Sequence, residues 1–174
     1  MIRILTPPEA EAAINDLAEI LRDCVEGGAM VNFMLPYNHT DALGFWRKAL
    51  AAQQRGELVL FGGYDADGHL SGTVSLGLDV PPNQPHRAEV KKMLVHRRAR
   101  RQGLARRLML ALHGEARRLN RHLLVLDTGQ HSEAEPLYQA LGYSLLGVMP
   151  AYSLPPQGGA PQPCSFYYKF LDAP

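Results

Sequence analysis

The sequence has little of what marks a secreted, membrane-spanning or polyanion-binding chain. It holds two cysteines, Cys24 and Cys164, and neither sits in a CxxC pair. A disulfide scaffold needs a denser pattern, so two reduced thiols are expected. No apolar run reaches the roughly 20 residues of a membrane span. The stretch from Met1 to Pro8 has no hydrophobic segment of signal-peptide length. A cytoplasmic chain with no membrane partner is the expectation. Charge of one sign is also lacking: 18 basic and 17 acidic residues leave a formal net charge of +1. There is then no global pull toward nucleic acid or an anionic surface, and any such preference must come from a local patch. His86, His96, His113, His122 and His131 lie far apart, with no HxH or HxxxH spacing, so no metal is predicted.

What is present fits one domain over residues 1–174, with 46% hydrophobic and 20% charged residues. No repeat or interdomain linker interrupts it. Ile2 to Leu5 reads as a strand, and Thr6 can cap a helix with proline in its first turn. That helix continues through Ile14, Leu17, Ala18 and Leu21 to Gly27-Gly28. After an irregular stretch, Asp41 can cap a second helix reaching Gln54. Glu57 to Tyr64 and Leu70 to Val80 read as a hairpin about the turn Asp65-Ala66-Asp67-Gly68. A strand from Arg87 to His96, a helix from Gly103 to Leu119 and a buried strand from Leu123 to Leu126 follow. Ser132 and Glu135 have capping-box spacing for a short helix ending at Gly142. Two strands close the chain, Tyr143 to Val148 and Ser165 to Leu171. This order is a mixed α/β (α+β) pattern and alternates too irregularly for a doubly wound sheet.

The strongest local signal is the passage from the strand ending at Val95-His96, through an arginine-rich turn, to a helix opened by Gly103. Such a passage aims free backbone N–H groups and the helix dipole at one spot, which suits a pyrophosphate. Gly103 lets the anion approach the backbone, Ala105 is small for the same reason, and the arginines add attraction. A Walker loop needs Gly-Lys-Ser/Thr and a dinucleotide fingerprint needs three glycines, and neither is present. A solvated helix start and an arginine-rich RNA contact are the alternatives.

Arg100-x-x-Gly103-x-Ala105 after such a strand resembles the GNAT superfamily of N-acetyltransferases, whose Gln/Arg-x-x-Gly-x-Gly/Ala motif holds the CoA pyrophosphate. Glu89-Val90-x-x-Met93-x-Val95 is similar to that family's fourth strand. Val90 and Met93 share a face only if a β-bulge lies near Lys91-Lys92, where the family has one. The segment Ala134 to Tyr143 is similar to a further signature, Ala-x-x-x-Tyr-x-x-Leu-Gly-Phe/Tyr, which places Tyr138 on the catalytic tyrosine. The resemblance implies a GNAT-type acyl-CoA N-acyltransferase fold: a mixed, mostly antiparallel sheet of six to seven strands with helices on both faces. It also implies acetyl-CoA as cosubstrate. Met93, Leu94, Val95, Arg100, Arg101, Gln102, Gly103, Leu104, Ala105 and Arg106 are its candidate contacts. His131 stands where many members have Asn, as a loop histidine or a proton carrier.

A phenol such as Tyr138 can protonate a departing thiolate, because its pKa is near that of a thiol. A core tyrosine is the alternative. An arriving ammonium must lose a proton, and Glu89 and Asp127 are the candidate acids. Either could instead serve a structural salt bridge or cap. Arg87 to Val90, Leu126-Asp127-Thr128, Glu26 to Ala29 and Phe166 to Lys169 look like the tabtoxin-resistance acetyltransferases. In those enzymes acids matching Glu89 and Asp127 work with the tyrosine through water. Met34, Tyr37, Asn38 and Tyr152 are candidate walls of the acceptor pocket. The expected activity is acetyl transfer to a small-molecule amine, an amino-acid-like toxin or antibiotic among them, in a ternary complex. Protein-lysine acetylation, nucleic-acid binding through residues 97–107 and acyl-CoA sensing without turnover are the other readings. A monomer or a homodimer is expected.

Overall fold

Each segment with a clear hydrophobic period becomes a helix or strand in the computed structural model, which describes residues 1–171. The order is β1 (Ile2–Ile4), α1 (Pro7–Ala12), α2 (Ile14–Glu26), α3 (His39–Gln54), β2 (Leu58–Tyr64), β3 (Leu70–Gly77) and β4 (Arg87–Val95). A 3-10 turn (Arg97–Ala99) leads to α4 (Leu104–Arg118), β5 (Leu123–Gly129), α5 (Glu135–Ala140), β6 (Ser144–Ser153) and β7 (Gln162–Phe170). The last three residues of the domain expected over 1–174 lie outside the described ones. No helix among the described residues is long and apolar enough to cross a membrane.

The strands form one seven-stranded sheet in the order β1-β2-β3-β4-β5-β7-β6. Every pairing is antiparallel except β4 with β5. Helices cover both faces. On one face Leu17, Leu21, Trp46 and Leu50 of α2 and α3 bury against Leu60 and Leu94. The Trp46 indole N–H donates to the Leu17 carbonyl at 2.8 Å and so locks the two helices together. On the other face Leu104, Leu108, Leu112 and Ala116, four residues apart along α4, bury against Phe61, Val74 and Leu124.

Several boundaries differ from the sequence expectation. The first helix is two, broken at Ala13. No glycine or proline marks the break; Ala10 and Ile14 on either side are both buried, so packing rather than propensity bends the chain. The cap of α3 is Asn38, not Asp41. Asn38 Oδ1 accepts from the Asp41 amide at 3.0 Å, and the Asp41 carboxylate accepts from the Asn38 amide at 3.1 Å, a reciprocal box shifted by three residues. The Ser132–Glu135 box does not form. The Ser132 hydroxyl pairs with Thr128 and the Glu135 carboxylate accepts from the His131 amide at 2.8 Å, so α5 starts after Ala134. β5 runs to Gly129, which puts Asp127 inside the strand, and β6 runs to Ser153, which puts Tyr152 in a strand.

The bulge in β4 lies where the face count requires it. Thr73 pairs with Leu94 and Ser75 with Lys91, so Val74 faces both Lys92 and Met93. Lys92 takes the positive φ, +50°. Met93 then packs with the α4 face, as Val90 does.

Candidate active site

β4 and β5 are hydrogen-bonded for three residues only, Arg87 to Glu89 against Leu123 to Val125. Beyond Glu89 the strands part, and the β5-facing edge of β4 has no strand partner. A groove of about 1120 Å³ runs through this fork, from the start of α4 to the loop between α2 and α3. It divides into a phosphate end, a central fork and a far arm.

At the phosphate end, Arg101 and Gly103 both have positive φ, +62° and +73°. The intervening turn exposes a run of amides. Among the described residues, no carbonyl or side chain of the protein accepts from the N–H groups of residues 101–106. The first turn of any helix leaves such donors, and the two left-handed residues extend the run backward into a nest. The donor set fits a pyrophosphate. A Cβ at Gly103 would meet nothing within 4 Å, so the glycine is required by its φ rather than by crowding inside the protein.

The arginines divide into two groups. The Arg97 amide donates to the buried Asp23 carboxylate at 2.9 Å, and its guanidinium bonds the same side chain. Arg98 donates to the Ser71 hydroxyl and the Leu70 carbonyl. Both are spent on holding the turn to α2 and β3. Arg100 lines the groove while donating to the Val95 carbonyl at 3.1 Å. Arg101 and Arg106 are exposed groove residues with no protein partner among the described residues, the two left for an anion.

Met93, Leu94, Val95, Gly103, Leu104 and Ala105 also line the groove, as does His131 at the other lip. Gln102 does not; its side chain turns back to the Arg98 carbonyl at 3.3 Å.

The fork gathers Glu89, Asp127 and Tyr138. Val125 lies beside Glu89, and Asp127 is two residues further on β5, so both acids point from the same face of the sheet. Glu89 is paired with Lys91 at 2.9 Å. Asp127 is exposed, and Cys164 Sγ lies 3.5 Å from its Oδ2. Tyr138 is 5% exposed, with Tyr143 edge-on at 5.8 Å and Tyr167 at 6.2 Å. Burial, with the nearby Asp127 charge adding to it, pushes its phenol above the ordinary tyrosine range. Its hydroxyl makes no hydrogen bond within the described residues and opens on the groove. Behind it, His113 Nε2 lies 2.9 Å from the Tyr143 hydroxyl.

One thiol lines the groove and the other, Cys164, lies against its lining residues Asp127 and Thr128, a proximity that motif matching missed. Cys24 lines the groove, and burial raises its pKa. Burial and Asp127 push Cys164 up to about 12. Neither is a thiolate nucleophile at neutral pH.

The four residues expected to wall the acceptor pocket do not line this groove. Met34 and Tyr152 are exposed outside the groove, and Tyr152 packs edge-on to Phe166. Asn38 is spent as a helix cap, and Tyr37 stacks on Phe33 at 4.7 Å. The far arm is lined instead by Met30, Val31, Asn32, Phe45, Lys48 and Lys92. Asp65, Asp67 and His69 also cluster, in the β2–β3 turn, but Asp65 is occupied by the amides of Asp67 and His69 and the Ser71 hydroxyl.

The sequence matches the acetyltransferase (GNAT) family over residues 14–143, most of the chain, and the chain belongs to that family. Solved structures share the fold. One is an N-acetyltransferase from Staphylococcus aureus Mu50, 21% identical, with a TM-score of 0.81 over 99% of this chain and 98% of that one. A ribosomal-protein-alanine N-acetyltransferase from Brucella melitensis is 24% identical, with a TM-score of 0.77 over 98% of this chain and 99% of that one. A GNAT superfamily phosphinothricin acetyltransferase from Sinorhizobium meliloti, in complex with AcCoA, is 19% identical, with a TM-score of 0.75 over 98% and 88%.

Proposed function

We propose that this GNAT-family N-acetyltransferase moves the acetyl group of acetyl-CoA to the amine of a small molecule, by direct attack in a ternary complex. One observation carries the proposal: a single groove joins the free amides of residues 101–106 to the fork where Glu89, Asp127 and Tyr138 meet. Acetyl-CoA supplies a thioester whose carbonyl carbon accepts the amine and whose sulfur leaves.

The protein's share is placement and proton transfer. The amides of residues 101–106, with Arg101 and Arg106, hold the pyrophosphate. The unpaired edge of β4 beyond Glu89 offers backbone groups to the extended arm. Glu89 or Asp127, directly or through a water, takes the proton the ammonium must shed. The Tyr138 hydroxyl gives its proton to the departing sulfur. The raised phenol pKa keeps the group protonated beforehand but also makes it a weaker acid, so the transfer depends on the negative charge that builds on sulfur as the C–S bond breaks. The likeness of Arg87 to Val90 and Leu126 to Thr128 to the tabtoxin-resistance enzymes supports an amino-acid-like acceptor.

Calorimetric titration with acetyl-CoA tests the cosubstrate site. Micromolar binding is expected, and Gly103→Glu should abolish it, by placing a carboxylate among the anion-binding amides at a left-handed position. A folded wild-type protein that binds no acetyl-CoA would overturn the proposal. Thiol release with a panel of small amines then tests turnover.

A further inference from the structure

The far arm of the groove contains a cation that the chemistry above does not use. Lys92 lies in the β4 bulge at φ +50°, a conformation uncommon for a residue with a side chain. Strict alternation would send Lys92 to the α4 face with Val90. The bulge turns it the other way, toward the α2–α3 loop, on the face shared by Glu89 and Asp127. Its Nζ donates to the Val31 carbonyl at 3.0 Å and lies 5.3 and 5.4 Å from the Phe33 and Phe45 ring centres. That satisfies one of three N–H donors. Among the described residues no carboxylate pairs with it, whereas its neighbour Lys91 pairs with Glu89. Burial holds its pKa below that of free lysine, while Asp127 and Glu89 act on the ammonium from beyond ion-pair distance in the opposite sense.

We propose that Lys92 is the anion-recognition point of the acceptor site, and that the acceptor is an amine carrying an acidic group, as an amino acid does. This rests on the acetyltransferase reading above and specifies its substrate. The complementarity is two-ended. The acceptor's ammonium faces Glu89 and Asp127 at the fork, and its carboxylate takes the two free donors of Lys92 in the arm. A buried unpaired charge is costly unless a partner arrives, and an anionic acceptor is that partner. Phe33 and Phe45 hold the ammonium in place beforehand, so little ordering is left for binding. Lys92 is then a specificity residue that contacts the acceptor.

The test compares matched acceptors. The common α-amino acids, each beside its own carboxamide, are assayed for thiol release at saturating acetyl-CoA with wild type, Lys92→Met and Lys92→Arg. Wild type should favour the carboxylate member of its best pair. Lys92→Met keeps the apolar stem between the rings, and it should lower kcat/KM for that member by about 10- to 100-fold while changing the carboxamide little. Lys92→Arg should restore part of the preference. A merely structural lysine, pinning the loop through Val31, would lower both members alike, and that parallel loss would overturn the proposal. Turnover confined to uncharged or cationic partners would also overturn it, as would the absence of turnover with every carboxylate-bearing amine. Acetyl-CoA affinity, read by calorimetry, should be unchanged in Lys92→Met. Failure of wild type to bind acetyl-CoA would instead remove the underlying reaction.

Discussion

Acid should destabilise this enzyme through one residue that does no chemistry. His113 is 4% exposed on α4, and its one hydrogen bond among the described residues is to the Tyr143 hydroxyl at 2.9 Å. Burial, aided by the positive charges of Lys169 and Arg117, lowers its pKa from 6.5 to about 4. The unfolded chain therefore takes up a proton below pH 6.5 that the folded chain refuses until about pH 4. The stability involved is present in full above pH 6.5 and is lost as pH falls toward 4. At about 1.4 kcal/mol per pH unit the full effect is about 3 kcal/mol, most of it gone by about pH 4.5. That is a large share of the roughly 5–15 kcal/mol that holds a domain folded.

The perturbation is the pair His113→Leu with Tyr143→Phe, which removes both polar partners and strands neither. Urea unfolding of wild type and double variant, near pH 7.5 and near pH 4.5, isolates the histidine, because every other group that titrates in this range is common to both and Tyr143, whose pKa is raised, does not titrate there. Relative to wild type, the variant should gain about 2–3 kcal/mol on acidification. Parallel loss in the two proteins would refute the reasoning and show that His113 is protonated in the fold. Tyr143 packs edge-on to Tyr138, so the same acid range should loosen the wall behind the candidate general acid.

Tyr138→Phe should lower kcat by about 10²-fold or more, with acetyl-CoA affinity nearly unchanged, as steady-state kinetics and calorimetry would show. Because the phenol's pKa is raised, the wild-type rate should not fall between about pH 8 and pH 10 through ionisation of Tyr138; a falling limb there that vanishes in Tyr138→Phe would contradict that. Asp23→Ala removes the buried carboxylate that binds both the amide and the guanidinium of Arg97. It should cost about 1–3 kcal/mol in urea unfolding, by unpairing the Arg97 amide; the Arg97 guanidinium is exposed and can turn to water. It should also weaken acetyl-CoA binding, since the turn that presents residues 101–106 is anchored there.

The glycine-opened turn before α4 and the place of Tyr138 on a short helix were legible because each depends on short spacing along one element. A glycine at the start of a helix has one geometric consequence, and the free amides follow from it at any position in the fold. The two faces of the sheet were legible for the same reason, since periods of 2 and 3.6 carry their own geometry. The helix break at Ala13 and the Asn38 cap were not. Ala13 is a good helix former that packing overrides, and Asn38 and Asp41 are both competent caps between which only the partner's position decides.

The lining of the far arm was illegible for a different reason. Met34, Tyr37, Asn38 and Tyr152 were natural candidates on residue type, but a pocket wall depends on which way each loop residue faces, and no period governs loops. Lys92 shows the limit most clearly. The bulge was inferred from the Val90–Met93 spacing, which constrains those two side chains and places the irregularity between them. It does not say which residue takes the left-handed φ. Had Lys91 taken it, the cation facing the arm could have been a different one. Instead Lys91 stays in register with Ser75 and pairs with Glu89, and Lys92 turns into the arm. The residue proposed to read the acceptor's acidic group therefore sits one position from a residue of the same type, and only the backbone separates their surroundings.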